Sequence, residues 1–226
     1  MSQDCLISPI AVIHTDFPSK FGIPRQAGLA EDLRGKIVFE HTYRVDEALR
    51  GLEGFSHIWL IWGFSENRDH SWSPTVRPPR LGGNIRLGVF ATRSPFRPNG
   101  LGLSCVRLLG LQKEDGLGTC LLVAGADLMD GTPIYDIKPY VPYADCRPDA
   151  VGGFAPAADR KLEVLLPPAL EEKIPEEKRK ALTEVLAQDP RPQYQEDPNR
   201  VYGMSFAGLE IRFRVENDRV LVLEIV

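Results

Sequence analysis

Residues 103–126 read Leu103-Ser-Cys-Val-Arg-Leu-Leu-Gly-Leu111, Gln112-Lys-Glu-Asp-Gly-Leu-Gly-Thr119 and Cys120-Leu-Leu-Val-Ala-Gly-Ala126. The first and third segments are apolar and of strand length. The middle segment is polar and carries an Asp-Gly pair, which is a strong turn signal between two apolar runs. The sequence therefore predicts two antiparallel strands joined as a hairpin.

Short apolar runs of this kind recur along the first part of the chain. Up to about residue 145 they come at spacings of roughly ten residues, with Gly and Pro turn signals between them and almost no helical periodicity. Residues 55–64 are a continuous apolar run that predicts a strand buried on both faces, and residues 86–91 predict another strand. This pattern favours a mainly β fold, and a small closed β-barrel would leave no exposed strand edges.

The composition changes after residue 146, where a stretch rich in Gly, Pro and Ala predicts a linker over residues 147–160. Residues 175–188 predict a helix, because two glutamates lie in its first turn and its apolar side chains share one face. We expect a β-barrel domain over residues 1–146 and a smaller α+β domain over residues 161–226. The strands predicted for the second domain cover residues 201–206, 209–215 and 220–226.

The composition is that of an ordinary soluble globular protein, with 43% hydrophobic and 26% charged residues among 226. No apolar run approaches the roughly 20 residues that span a bilayer, and no signal peptide is visible. The four cysteines form no CxxC pair, and the four histidines lack the spacing of zinc ligands. We therefore expect a cytoplasmic protein with reduced thiols, no bound metal and no membrane contact.

Positive charge is concentrated in one part of an otherwise acidic chain. The formal net charge is −4, yet residues 68–107 contain seven arginines, one aspartate and no lysine. Arginine is the side chain best suited to binding phosphate and to stacking on bases. Solvated arginines at strand edges are the alternative interpretation, and we expect at least some of them to face phosphate or carboxylate groups.

The densest cluster of these features is Ala91-Thr-Arg-Ser-Pro-Phe-Arg-Pro-Asn-Gly-Leu-Gly-Leu-Ser104. Its prolines and glycines predict a stiff, shaped loop with free backbone amides and two guanidinium groups. Residues 22–26 and 127–133 are polar turns of related composition. Each of them alone could be an ordinary turn, but the three together with the arginines favour a binding site for a small polar ligand.

Several common enzyme classes are excluded by their motifs. The chain has no GxxxxGK[ST] phosphate-binding loop, no GxGxxG dinucleotide fingerprint and no GxSxG nucleophile elbow. Standard kinase, dehydrogenase and hydrolase activities are therefore not expected.

Three segments resemble the TsaA-like (TrmO) family of tRNA methyltransferases: Leu52-Glu-Gly-Phe-Ser-His-Ile-Trp-Leu60, Ala91-Thr-Arg-Ser-Pro-Phe-Arg-Pro-Asn99 with Gly102-Leu-Ser104, and Asp127-Leu-Met-Asp-Gly-Thr-Pro-Ile-Tyr-Asp-Ile-Lys-Pro-Tyr140 with Pro142-Tyr-Ala-Asp145. Asp189-Pro-Arg-Pro192 and Tyr202-Gly203 are similar to the second domain of the same family. The resemblance implies a small β-barrel unrelated to Rossmann methyltransferases, and a homodimer. It also implies methylation of tRNA at N6 of N6-threonylcarbamoyladenosine, beside the anticodon at position 37.

The same resemblance implies that S-adenosylmethionine binds between loops. The positions it assigns to this methyl donor are Pro24, Arg25, Gln26, Ser65, Glu66, Arg93, Leu103, Asp130, Gly131, Thr132 and Pro133.

The chemistry adds candidates for the acceptor side. Methyl transfer from a sulfonium is an in-line displacement, so alignment supplies much of the catalysis, and a base must take the N6 proton. Asp136, Tyr140 and Asp145 are all candidates for that base, and the sequence does not choose among them. Arg93 or Arg25 could pair with the carboxylate of the donor.

The remaining arginines are candidates for the substrate RNA. The threonyl carboxylate of the substrate would suit Arg97, and the RNA phosphates would suit Arg68, Arg77, Arg80 and Arg86. Two other functions stay open, namely a non-catalytic module that binds an S-adenosyl compound or nucleotide, and a methyltransferase of the same fold with another small acceptor.

Overall fold

The computed structural model describes residues 5–67, 72–156, 160–191, 197 and 199–226. The described helices are α1 (Pro142–Asp145), α2 (Pro168–Glu171) and α3 (Glu176–Ala187). The described strands are β1 (Ala11–His14), β2 (Arg34–Phe39), β3 (His57–Gly63), β4 (Thr75–Val76), β5 (Leu87–Gly88), β6 (Leu101–Glu114), β7 (Gly118–Ala124), β8 (Thr132–Pro139), β9 (Glu163–Leu165), β10 (Tyr202–Phe206), β11 (Leu209–Glu216) and β12 (Arg219–Ile225).

Six strands form one antiparallel sheet in the order β1-β2-β7-β6-β3-β8, and β8 pairs with β1. Because the pairing returns to its first strand, the sheet is a closed barrel. The hairpin predicted over residues 103–126 is β6 and β7, with Glu114 opposite Gly118. The prediction of a mainly β fold with a smaller second sheet domain is confirmed.

Strand β3 shows how the barrel wall buries one face. Ile58 and Leu60 are fully buried inside, whereas His57, Trp59 and Ile61 are only half-buried. The prediction that this strand is buried on both faces is wrong, because a strand in a barrel wall turns alternate side chains outward.

The strand predicted over residues 86–91 is also much shorter than expected. Only Leu87–Gly88 is extended, and it pairs with Thr75–Val76. A 3₁₀ turn follows at Val89–Ala91, where Thr92 donates from its Oγ1 to the carbonyl of Val89 at 2.9 Å. This side-chain bond favours a turn over continued pairing.

The second sheet has the order β10-β11-β12-β9, with β9 parallel to β12. The helix and three strands predicted for this region are confirmed as α3, β10, β11 and β12. Helix α3 buries one face, because Ala181, Leu182, Val185 and Leu186 repeat at helical spacing.

The segment between β1 and β2, residues 15–33, is named here the first loop. Phe17, Ala30 and Leu33 of this loop belong to the hydrophobic core of the second sheet and α3. Gln188 donates to the carbonyl of Leu29 at 3.1 Å. The second domain therefore packs directly on the first loop and restrains it.

None of the described helices combines the length and the apolar character needed to cross a membrane.

Candidate functional site

A chain of polar contacts joins β3, β6 and the turn after β7. Trp62 donates from Nε1 to the Oγ of Ser104 at 2.9 Å, and Ser104 donates to the Oδ1 of Asp127 at 2.6 Å. Ser104 is only 2% exposed. A hydrogen bond to a carboxylate that is shielded from water is stronger than one at the surface, so this contact fixes both residues.

The absence of a side chain at Gly102 leaves space for the indole ring of Trp62. Gly102 lies opposite Trp62 in the β3–β6 pairing, and a Cβ at that position would overlap the indole ring. The ring of Phe64 packs edge-on against Trp62 with 4.5 Å between centroids. The indole is thereby clamped with its N–H directed at Ser104.

Asp127 lies between groups with opposing effects on its charge. Burial raises the pKa of its carboxyl above the ordinary 3.8, while the Ser104 hydroxyl, the Arg93 guanidinium and the backbone N–H of Ala27 act to lower it. The carboxylate thus connects β6, the first loop and the loop of residues 91–104.

Arg93 and Gln26, two positions assigned to the methyl donor, are in contact. Arg93 donates from Nη1 to the Oε1 of Gln26, and Gln26 donates from Nε2 to the carbonyl of Arg25. Arg25 in turn donates to the carbonyl of Asp189 at 3.4 Å, and Pro24 beside it is buried. Arg25 and Arg93 are both exposed residues, so these contacts lie at the protein surface.

The turn between β7 and β8 contains Asp130, another position that the family resemblance assigns to the methyl donor. Asp130 accepts from the N–H of Thr15 at 3.0 Å and lies 3.2 Å from the Nδ1 of His14. Its own N–H donates to the carbonyl of Phe17 at 2.8 Å. These contacts join Asp130 to the start of the first loop, whereas Asp127 contacts its middle.

The neighbours of Asp130 follow the same turn into β8. Gly131 has φ 78°, which favours glycine, and Thr132 is buried with its Oγ1 donating to the carbonyl of Met129 at 2.7 Å. Pro133 is paired with Val12 of β1. Asp127 and Asp130 are three residues apart, so the chain keeps their Cα atoms within roughly 11 Å.

A cleft of about 360 Å³ opens beside Asp130. Asp16 and Lys178 line it together with Thr15, Pro18, Pro175, Ala207 and Gly208. The cleft is an open groove between the first loop, the turn at Asp130 and the second domain.

Ser65 and Glu66 lie in a 3₁₀ turn that directly follows β3. The residue before them, Phe64, donates its N–H to the carbonyl of Gly100 at 3.0 Å. This bond holds the end of β3 against the end of the arginine-bearing loop, which is the loop of residues 91–104 with Arg93 and Arg97. Glu66 is exposed there.

The three base candidates and Leu103 lie on the outer face of the barrel. Leu103, Ile61 and Asp136 are aligned across β6, β3 and β8. Leu103 is 54% exposed, and its neighbour Ser104 points to the interior, because adjacent residues of a strand project to opposite faces. Within one chain, the Leu103 side chain therefore lies on the other face of β6 from the Ser104–Asp127 contact.

Asp136 has partners for both carboxylate oxygens. Oδ1 accepts from the N–H of Ile137 at 2.9 Å, and Oδ2 pairs with Lys138 at 2.9 Å. The carboxylate is still half-exposed. It is held in one orientation and remains reachable from solvent.

Tyr140 and Asp145 meet at Trp59 on the same outer face. Asp145 accepts from the Nε1 of Trp59 at 3.1 Å and from the N–H of Val141 at 2.8 Å. The rings of Tyr140 and Trp59 are 5.9 Å apart. Loss of solvation raises the pKa of the Tyr140 hydroxyl, with further contributions from Cys146, Cys105 and Asp145. Tyr140 is thus the weakest proton acceptor of the three at neutral pH.

The predicted RNA-binding arginines have different surroundings. Arg77 and Arg86 are exposed and adjoin the paired residues Val76 and Leu87, so they lie at the two ends of the loop that joins β4 to β5. Arg80 is half-buried in a 3₁₀ turn between them. Arg68 lies outside the described residues.

The Arg97 side chain donates hydrogen bonds to backbone carbonyls close to it in the sequence. Its Nη1 donates to the carbonyl of Thr92 at 2.6 Å and to that of Val89 at 3.2 Å, and its guanidinium lies 5.8 Å from the ring centre of Phe90. These contacts stiffen the loop that carries Arg93. The prediction that Arg97 contacts substrate stays a prediction.

Sequence reasoning did not select Trp62, Ser104 or Asp127 as site residues, although all three adjoin or lie in the matched motifs. A serine and an aspartate flanking an apolar hairpin were the available signal. Their partnership depends on the β6–β7 pairing and the first loop. Over the part of the chain that the structure describes, no group of three or more His, Cys, Asp or Glu side chains could hold a metal ion.

Comparison with known families matches both parts of the chain. A family model described as the tRNA-methyltransferase O N-terminal domain matches residues 12–146, and one described as the TrmO C-terminal domain matches residues 158–226.

Two relatives and one solved structure are similar over most of the chain. A tRNA (adenine(37)-N6)-methyltransferase of Escherichia coli K12 is 41% identical over 215 residues, 91% of each chain. A putative S-adenosylmethionine-dependent methyltransferase of Pseudomonas aeruginosa, RcsF, is 41% identical over 236 residues, covering 97% of this chain and 96% of the relative. The crystal structure of TrmO from Pseudomonas aeruginosa gives a TM-score of 0.80 at 35% identity, covering 99% of this chain and 100% of that one.

Proposed function

Because this chain belongs to the tRNA-methyltransferase O family, we propose that it is an S-adenosylmethionine-dependent enzyme that methylates N6 of adenine 37 in tRNA. The observation that carries the proposal is the contact between Arg93 and Gln26, which joins two of the assigned donor positions beside Asp127. The sequence resemblance extends the proposal to N6-threonylcarbamoyladenosine as the modified nucleoside that accepts the methyl group.

The residues present suit the donor. S-adenosylmethionine supplies a methyl group on a sulfonium and also carries a carboxylate and an ammonium. The exposed guanidinium groups of Arg25 and Arg93 suit the carboxylate, and the half-exposed Asp130 carboxylate suits a cationic group. We assign the donor site to Pro24, Arg25, Gln26, Ser65, Glu66, Arg93, Leu103, Asp130, Gly131, Thr132 and Pro133.

The acceptor side is assigned to Asp136, Tyr140 and Asp145. The N6 proton must leave when the new C–N bond forms, and a carboxylate is the appropriate acceptor. Asp136 and Asp145 are both oriented by hydrogen bonds, whereas the raised pKa of Tyr140 keeps its hydroxyl protonated, so it can donate a hydrogen bond but cannot take the proton. Tyr140 therefore orients substrate, and one of the two aspartates takes the proton.

The RNA is assigned to the arginine-rich surface of the first domain. Arg77 and Arg86 lie at the two ends of the loop that joins β4 to β5 and are exposed, which suits them to phosphate groups. We assign the phosphates to Arg68, Arg77, Arg80 and Arg86, and the threonyl carboxylate of the substrate to Arg97.

Three further properties belong to this proposal. The chain is divided into domains of residues 1–146 and 161–226 with a linker between, supported by family matches over 12–146 and 158–226. It forms a homodimer, supported by the exposed Leu101, Leu103 and Leu109 on the outer face of β6. It acts in the cytoplasm, where its tRNA substrate and its free cysteines are expected.

Methyl transfer from labelled S-adenosylmethionine to purified tRNA tests the proposal. We expect transfer to tRNA that carries N6-threonylcarbamoyladenosine, and none to the same tRNA lacking that modification. Donor binding without transfer to any tRNA would instead identify a non-catalytic binding module. Full activity on a small acceptor without RNA would identify a methyltransferase with a different substrate.

A further inference from the structure

We propose that Asp127, held by Ser104 and Trp62, is a positioning residue that sets Arg93 and the first loop in the conformation that binds S-adenosylmethionine. The inference rests on the proposed function. It assigns a role to three residues that are outside the donor positions given by family resemblance.

The first step is that Asp127 joins three separate segments. Its carboxylate accepts from Ser104 on β6 at 2.6 Å, is stabilised by the N–H of Ala27 in the first loop, and attracts the guanidinium of Arg93. Gln26, next to Ala27, accepts from Arg93 directly. The Asp127 carboxylate therefore interacts with both the first loop and the loop that carries Arg93, and these two loops also contact each other through Gln26 and Arg93.

The second step is that the carboxylate is itself oriented from the barrel wall. Trp62 donates to Ser104 at 2.9 Å, and its indole is fixed between Gly102 and Phe64. Ser104 can therefore use its own proton only toward Asp127. The paired strands β3 and β6 thereby orient the carboxylate that contacts the two loops.

The third step is energetic. Arg93 is an exposed side chain on a loop, and fixing a flexible side chain upon binding costs conformational entropy. The partly buried Asp127 carboxylate attracts the guanidinium before the donor binds, so less side-chain freedom remains to be lost on binding. The expected signature is a loss of donor affinity without a matching loss of RNA affinity.

The sharpest test compares Ser104→Thr with Ser104→Val in the full-length protein. The two side chains have the same shape, and only threonine keeps the hydroxyl that bonds Asp127. We expect Ser104→Thr to bind S-adenosylmethionine about fivefold to tenfold more tightly than Ser104→Val, as measured by calorimetry. Their affinities for tRNA should agree within about twofold, because only the donor side has changed.

A second test uses Asp127→Asn alone and in combination with Arg93→Ala. Asp127→Asn should weaken donor binding about tenfold, because the amide still accepts from Ser104 but no longer attracts the Arg93 guanidinium. In the Arg93→Ala background the same change should have an effect of less than about twofold, because the group that Asp127 positions is already gone. Asp115→Asn, the same change at the exposed hairpin tip, is the matched control.

Several outcomes would overturn the inference. Equal donor affinities for Ser104→Thr and Ser104→Val would remove the role of the hydroxyl. Parallel losses of donor and tRNA affinity would make the network a purely structural one, and full additivity with Arg93→Ala would exclude action through Arg93. If the unmodified protein binds no S-adenosylmethionine, the proposed function fails together with this inference. If the protein without substitutions binds S-adenosylmethionine normally and these variants bind it equally well, this inference is rejected and the proposed function is not.

Discussion

The ammonium of Lys178 on α3 lies 2.7 Å from both carboxylate oxygens of Asp16 in the first loop. Both side chains are largely shielded from water. The pair therefore joins the second domain to the segment that carries three of the donor positions.

Lys178→Met should destabilise the protein by about 1.5–3 kcal/mol, because it leaves a shielded carboxylate without its charged partner. Chemical unfolding followed by circular dichroism measures the change. Arg160→Met is the control, since Arg160 pairs with Asp218 at 3.2 Å with both side chains exposed, and its loss should cost about 0–1 kcal/mol. Equal losses in the two variants would contradict the role of the Lys178–Asp16 pair.

Gly102→Ala should destabilise the protein by about 1–3 kcal/mol, because the added Cβ would overlap the ring of Trp62. It should also weaken donor binding if the indole orients Ser104. Gly54→Ala is the matched control, because a Cβ there meets nothing within 4 Å. That control should be neutral or stabilising by up to about 1 kcal/mol. A stable Gly102→Ala protein with normal donor affinity would show that Trp62 can move freely.

The pH dependence of stability should reveal Asp127. Its folded pKa is raised above the ordinary 3.8, so the native state holds a proton over a pH range in which the unfolded chain has lost it. The free energy of unfolding of the unmodified protein should therefore fall, relative to Asp127→Asn, as pH rises from about 3.8 through the raised pKa. Above that pKa the difference becomes constant. Chemical denaturation of both proteins at a series of pH values makes the measurement, and curves that stay parallel throughout would argue against a raised pKa.

Arg93→Ala should weaken binding of S-adenosylmethionine by about 1.5–3 kcal/mol, as expected for removing a hydrogen bond between charged groups. Calorimetric titration gives the affinity. Arg86→Ala provides a control with the same chemical change at the exposed end of the loop that joins β4 to β5. Unchanged affinity in Arg93→Ala would remove this residue from the donor site.

Arg77→Ala and Arg86→Ala should each weaken tRNA binding and reduce the slope of log K against log salt by about one, because each phosphate contact releases about one counterion. Donor affinity should be unaffected. Binding titrations at several salt concentrations provide the slope. Lys113→Ala, which removes an exposed cation paired with Asp46, is expected to leave the slope as it is. A slope that changes equally in all three variants would indicate a general charge effect.

Local sequence patterns were sufficient to predict the helices and strands whose buried residues repeat at the period of the element itself. The Asp-Gly hairpin of β6 and β7 and the single apolar face of α3 were both predictable, since turn chemistry and side-chain spacing act within a few residues. Strand β3 was misread, because a continuous apolar run does not reveal that a barrel wall leaves Trp59 and Ile61 half-exposed.

Some residues of the candidate site could be predicted from the sequence, and others could be found only in the structure. Resemblance in the motifs was enough to select Arg93, Gln26 and Asp130 as donor positions, but it assigned no role to Ser104 or Trp62. The bond from Ser104 to Asp127 spans 23 positions and forms only when the barrel strands are paired and the first loop is folded against them.

The amino-acid sequence by itself determined the β-rich architecture, the α+β character of the second part and the family to which the chain belongs, because these depend on local periodicity and on motifs read along the chain. Tertiary structure alone decided which face of β6 each motif residue occupies, which carboxylate is shielded from water and how the second domain braces the first loop. Those properties come from contacts between residues far apart in the chain, where hydrogen bonding and burial depend on distances in space.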